Sequence, residues 1–160
     1  MMNKSVKLGI QGRPDVPPRL FDLVPRYIEK YGYKDCLFAG KVNKQWVKYD
    51  GKKFYEITNS ISYGLLKLGV KKGDRIALIA NNAPEWNMID FAIQQVGAIC
   101  IPIYPTISHD DYKYIFNHSE ASIAFFTNKH LYSKVADIIA DIPTIKETYL
   151  IRASEDMKSL

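Results

Sequence analysis

Between Gly73 and Thr106 the chain reads GDRIALIANNAPEWNMIDFAIQQVGAICIPIYPT. This stretch permits few folds. Arg75 to Ala80 is an apolar run too short for a helix, bounded by Gly73-Asp74 and Asn81-Asn82. That is the pattern of a strand buried on both faces. Asn81 and Asn82 are the expected caps of a following helix, Pro84 suits its first turn, and Glu85 suits the positive end of its dipole. Trp86, Ile89, Ile93 and Val96 share one helical face, and Gly97 is the expected stop. Ala98 to Ile101 reads as the next buried strand, and Pro102 ends its capacity to donate to a ladder. Strand, helix and strand in that order make a right-handed crossover with parallel strands.

The rest of the chain extends this unit in both directions. Leu20 to Lys30 has helical spacing, with Pro25 either in the first turn or at a kink. Cys36–Val42 and Gln45–Tyr49 read as a hairpin with Asn43-Lys44 at the turn, and Trp46 and Tyr49 suit a half-buried pleated surface. Phe54, Ile57, Ile61, Leu65 and Leu68 form the stripe of a helix from about Lys52 to Leu68. Asp50 caps its start and Gly69 closes it in a Schellman turn, with Val70 meeting Leu65. After Thr106, Ser108 and Asp111 suggest a capping box, with Ile107 and Tyr112 as its hydrophobic staple. Tyr112, Ile115 and Phe116 give that helix its inner face. Ala121–Phe126 is a further strand. Asn128 caps one more helix carrying Leu131, Val135, Ile138 and Ile139, and Lys146–Ile151 is a fourth strand. Strand starts near residues 75, 98, 121 and 147 fit consecutive βα units. The expected fold is therefore α/β, with parallel βα units in one layered sheet, preceded by a helix and a β-hairpin. Residues 1–18, rich in proline, are expected as an extended arm, 19–151 as the α/β domain or subdomain, and 152–160 as a polar tail.

GDRIALIANNAPEW followed by GAICIPIYPT resembles the amino-terminal part of the AMP-forming acyl-CoA synthetases, a group of adenylate-forming enzymes. Within them it is most similar to the long-chain fatty acid–CoA ligases. The family's Gly-Asp-Arg turn, Asn…Glu-Trp, Gly-Ala and Pro-x-Tyr-Pro-Thr all stand here in order. Upstream, many members carry an aromatic-Ser/Thr-x-x-Glu lead-in where this chain has Tyr49-Asp50-Gly51-Lys52-Lys53, and Asp50 supplies the cap instead. The resemblance covers roughly residues 20–150, which correspond to the first quarter to third of a typical member. It implies a partial amino-terminal domain of an adenylate-forming ligase. The implied parent reaction joins a fatty acid, ATP and CoA through an acyl-AMP intermediate, with Mg²⁺.

The machinery for that reaction is not written between residues 1 and 160. The family's Ser/Thr/Gly-rich phosphate loop with its closing Lys is absent, as are G-x-x-x-x-G-K and G-x-G-x-x-G. The family's adenine-binding motif, ribose-binding Asp and catalytic Lys are also unmatched. No catalytic, cofactor-binding or metal-binding residue is therefore assigned, and the isolated chain is expected to be inactive. Ser108-His109-Asp110 has the residue types of a catalytic triad, but neighbours at a helix start point in different directions and capping explains them better. His109, His118 and His130 lack the short spacing of a helical metal pair. Asn81, Asn82, Glu85 and Trp86, with Tyr104, Pro105 and Thr106, stand beyond strand ends where open sheets bind ligands. Capping and packing account for them as well.

Composition narrows the alternatives. The net charge is +5, but the densest basic pairs, Lys52-Lys53 and Lys71-Lys72, lie at helix edges and read as solvated surface, so no nucleic-acid partner is expected. The amino terminus has no apolar signal core and no run is long enough to span a bilayer, so a cytoplasmic protein, at most peripheral to a membrane, is expected. Cys36 and Cys100 lie 64 residues apart and form no Cys-x-x-Cys, and Cys100 reads as a small core hydrophobe. A different class remains open, a non-catalytic interaction module in which the βα layer and the proline-rich arm make a homodimer contact or bind a partner.

Overall fold

Strands begin at Arg75, Ile99, Ile123 and Glu147, 24 residues apart each time, the rhythm of a repeated strand–helix unit. The computed structural model describes residues 19–42 and 44–152. The arm expected over 1–18, Asn43 of the hairpin turn and all of the tail except Arg152 lie outside them. The described elements are α1 (Leu23–Tyr31), led by a 3-10 turn at Leu20–Asp22; β1 (Phe38–Val42); β2 (Gln45–Tyr49); α2 (Gly51–Lys67); β3 (Arg75–Ile79); and α3 (Pro84–Gln95). They continue with β4 (Ile99–Ile103), α4 (His109–Ser119), β5 (Ile123–Phe126), α5 (Lys129–Ser133), α6 (Ala136–Ala140) and β6 (Glu147–Leu150). The fold is the expected α/β arrangement of parallel strands behind a helix and a hairpin. The chain forms two compact units, with the boundary between Glu56 and Ile57.

In the unit from Ile57 onward, the strands are ordered β4-β3-β5-β6, all parallel. Alternation along each strand sends side chains to opposite faces. Ile79, Phe126 and Leu150 lie in register on one face, with Tyr112 and Phe116 of α4 and Leu131 and Ile138 of α5 and α6. Leu78 and Phe125 point to the other, with Leu65 of α2 and Ile89 and Ile93 of α3. The sheet is thus covered on both sides, which is why β3 and β5 are almost continuous apolar runs.

The order corrects one sequence expectation. β4 is an edge strand rather than a fully buried one, and Ile99 is half exposed. Ile99 N–H donates to Asp74 O at 2.7 Å, so residues 99, 101 and 103 turn their amides toward β3. Pro102 then faces the open edge, where its missing N–H costs no ladder bond. Cys100 is half-buried and packs on the α2/α3 side. Burial first, and the Asp90 carboxylate second, push its thiol well above the usual range.

Helix ends follow local chemistry. Asp50 Oδ1 accepts from Lys53 N–H at 2.7 Å and starts α2. At the other end Val70 N–H donates to Leu65 O and Gly69 N–H to Leu66 O, the two bonds of a Schellman turn, with Gly69 at φ 83°. Because the chain reverses there, Leu68 is exposed and Val70 buried, so the apolar stripe ends at Val70, three residues past the helix, rather than at Leu68. Thr58 and Ser62 share the buried face of α2. The Ser62 hydroxyl lies 3.0 Å from Thr58 O and 2.5 Å from Gln95 Oε1 of α3, which satisfies a polar group inside the helix contact. The helix expected after Asn128 is two short ones, α5 and α6, interrupted at Lys134-Val135, with Val135 at φ −131°.

In the unit ending at Glu56, β1 and β2 are antiparallel, with Val42 opposite Gln45 and Lys44 left-handed at φ 65°. β1 starts at Phe38 rather than Cys36. Pro25 occupies the first turn of α1. Phe54 stacks on Phe38 with ring centroids 4.3 Å apart. Phe38, Val42, Val47 and Tyr49 alternate inward. Trp46 falls on the opposite, exposed face, contrary to its expected half-burial.

Candidate functional site

Open α/β sheets place ligands beyond the carboxyl ends of the strands, where successive crossovers leave in opposite directions. Here the crossover from β3 leads through α3 to β4 on one side, and the next leads through α4 to β5 on the other. The switch point therefore lies between β3 and β5, and the residues beyond it are Ala80–Ala83 and Thr127-Asn128.

Thr127 organises this point. Its N–H donates to Ile79 O at 3.1 Å, its carbonyl accepts from Arg152 N–H at 3.1 Å, and its Oγ1 accepts from Asn81 N–H at 3.0 Å. One residue thus ties the exits of β3, β5 and β6 together, and it is only 5% exposed. Sequence reasoning passed over it. The signal was a polar β-branched residue between an apolar strand and a helix-capping Asn. Thr127→Val removes Oγ1 at nearly constant shape and leaves the Asn81 amide without its acceptor. The expected loss is about 1–2 kcal/mol, toward the lower part of the usual range because Asn81 itself is exposed. Thr127→Ser should restore it. Thermal melting and the exchange rate of the Asn81 amide check both, and equal stability of the Val and Ser variants would remove the hydroxyl from this role.

The structure corrects the roles expected of Asn81 and Asn82. The N-cap of α3 is Ala83, without a side-chain cap bond, and both Asn side chains stand in the exposed loop before it. Pro84 does begin α3, Glu85 lies in its first turn, and Trp86 packs partly buried on the α2/α3 side of the sheet. At the exit of β4, Tyr104 is exposed, and its carbonyl accepts from the buried Tyr112 hydroxyl at 3.1 Å. Burial raises the Tyr112 phenol above its ordinary range.

Ser108, His109 and Asp110 do not converge. Ser108 Oγ and Asp111 form the expected capping box, while the His109 ring lies 3.0 Å from Asp137 Oδ2 in α6. Desolvation is the largest single influence on the Asp137 carboxyl and raises it, but the His109 ring and the backbone amides together outweigh it and hold the group below the usual range. His118 stacks on Tyr114 in α4. Among the described residues no three His, Cys, Asp or Glu side chains come together to hold a metal ion. At the switch point the Asn81 amide donates to the Thr127 hydroxyl and the Thr127 amide to Ile79 O, so both main-chain donors are already engaged within the sheet. Among the same residues no helix is long and apolar enough to cross a membrane.

Comparison with known proteins gives the family. A family model described as AMP-binding enzyme matches residues 25–159. A long-chain-fatty-acid–CoA ligase of Mycobacterium bovis is 35% identical over 91 residues, 57% of this chain and 15% of that protein. Fatty acyl-CoA synthetase A of Dictyostelium discoideum is 32% identical over 101 residues, 62% of this chain and 15% of that protein. Among solved structures, a long-chain-fatty-acid-CoA ligase from Archaeoglobus fulgidus superposes with TM-score 0.75 at 20% identity, over 86% of this chain and 28% of that one. An anthranilate CoA ligase in complex with anthranoyl-AMP gives TM-score 0.69 at 19% identity, over 82% and 24%. The chain thus spans about 15% of the length of the first curated relatives it matches. With a family model covering most of its residues and a sheet shared with solved ligases, this chain belongs to the AMP-binding enzymes.

Proposed function

We propose that this chain is the amino-terminal part of a long-chain fatty acid–CoA ligase. The whole protein would convert fatty acid, ATP and CoA to acyl-CoA, AMP and pyrophosphate through acyl-AMP. In that protein the described residues act as scaffold. The observation that carries this reading is the similarity to named ligases, together with a switch point whose Asn81 and Thr127 amides are already engaged within the sheet. Making an acyl-adenylate requires a carboxylate oxygen held in line with the α-phosphorus and neutralisation of the departing pyrophosphate. The sequence provides neither a phosphate loop nor a catalytic Lys for these tasks. ATP, Mg²⁺ and CoA therefore belong to the complete enzyme.

Two proteins test the reading. The isolated chain, given palmitate, ATP, Mg²⁺ and CoA, should release no AMP above background; acyl-CoA formation would overturn its inactivity. A chimera in which residues 25–152 replace the matching segment of the Mycobacterium bovis ligase should retain acyl-CoA synthesis. A folded but inert chimera would remove the scaffolding role.

A further inference from the structure

The +5 charge of the chain is unevenly placed. Residues 19–56 hold nine Lys and Arg against five Asp and Glu, whereas residues 57–152 hold nine of each. Within the first group the charge concentrates on the hairpin, where no acidic residue occurs between Leu37 and Tyr49. Antiparallel pairing sorts the two faces. Lys41 stands opposite Trp46 and Ala39 opposite Lys48, all four exposed, and exposed Lys44 projects from the turn. Trp46 is 64% exposed, and Lys41 Nζ sits 5.0 Å from its ring centroid. The hairpin thus presents Lys41, Lys48 and one indole on a single face, with Lys44 at its tip.

We propose that this outer face of β1–β2 docks the protein on an anionic lipid bilayer. Trp and Lys together match the headgroup layer. The indole places its apolar body among the upper acyl carbons with its N–H at the polar boundary, while each Lys lies among lipid phosphates. The inward residues Phe38 and Tyr49 leave this face free of packing duties within its unit. A nucleic acid suits the surface less well. The ladder is five residues long, roughly 17 Å, and it offers one aromatic ring whose approach Lys41 already shares, whereas single-strand binders use successive rings along a basic groove. Residues 57–152 are balanced in charge, so among the described residues the attraction is centred on the unit that holds the hairpin.

The experiment uses the 160-residue chain and co-sedimentation with vesicles. Binding to phosphatidylcholine vesicles containing phosphatidylglycerol, weak binding to phosphatidylcholine alone, and release by added salt are expected. A Lys41→Gln, Lys44→Asn, Lys48→Gln variant should bind on the order of 100-fold more weakly, since each Lys near an anionic surface is worth about fivefold. Asn is used at position 44 because it tolerates the left-handed backbone there. Lys41→Arg with Lys48→Arg keeps the charge and should bind like the parent, which separates lost attraction from lost folding. Vesicles should also shift Trp emission to the blue, and Trp46→Phe should abolish that component while Trp86 still emits. Undiminished binding by the neutralised variant, binding indifferent to lipid charge or salt, or tighter binding to duplex DNA than to the vesicles would each overturn the proposal.

Discussion

Phe126→Ala should lower the melting midpoint by roughly 10–15 °C, the equivalent of about 3–5 kcal/mol in a domain of this size. Phe126 is 0% exposed and sits on β5, one of the two inner strands. It lies between Ile79 and Leu150 in register and meets the Tyr132 ring edge-on at 5.4 Å. Truncation therefore opens a cavity bounded by two neighbouring strands and α5, none of which can close it without breaking the ladder. Stabilities of natural domains are only about 5–15 kcal/mol, so this variant approaches the limit of folding. Phe126→Leu keeps most of the volume and should lose less than half as much. Thermal unfolding followed by circular dichroism measures both, and an alanine variant within a few degrees of the parent would mean that the ring is not a keystone of that face.

Phe54→Ala should act as strongly but in a different place. Among the described residues up to Glu56, Val24 and Phe54 are the buried apolar side chains, and Phe54 is fully enclosed. It stacks on Phe38 of β1 and so provides the support beneath the hairpin. A two-stranded ladder without such support is marginal in water, and loss of a buried Phe costs about 3–5 kcal/mol. Hydrogen exchange should show the β1 and β2 amides losing protection while β3 and β5 amides retain theirs. Equal loss in all four strands would contradict two separately organised units, and an unchanged hairpin would contradict the role of the ring.

How much of this was legible depends on the range of the forces involved. Features set by neighbours in sequence could be read directly. Ser108 with Asp111, Asn128 with Leu131, Pro84 at a helix start and the Gly69 turn all appear where their chemistry puts them. Features set by partners far along the chain could not. An apolar run announces a strand but not its neighbours, so β4 read as interior although it is an edge; Pro102 was the available clue. Asn81 and Asn82 have the right side chains for a cap, yet the Asn81 amide is held by Thr127, 46 residues away, and the cap falls on Ala83. The break between α5 and α6 was invisible because Leu131, Val135 and Ile138 keep their helical spacing across it while all remaining buried. At the candidate site, strand ends were legible and the switch point was not, because strand order creates it.

Strand order also sets a delay during synthesis. β3 is flanked by β4 on one side and β5 on the other. The crossover to β4 completes within a short piece of chain, but Ile79 pairs with Phe126, 47 residues later. At about 5–20 residues per second, the second edge of β3 waits roughly 2 to 9 s for its partner to be made. During that interval Ile76–Ile79 is an apolar template with one side unfilled. The nascent chain is then most exposed to mispairing, and a chaperone would have most to shield before Phe126 emerges.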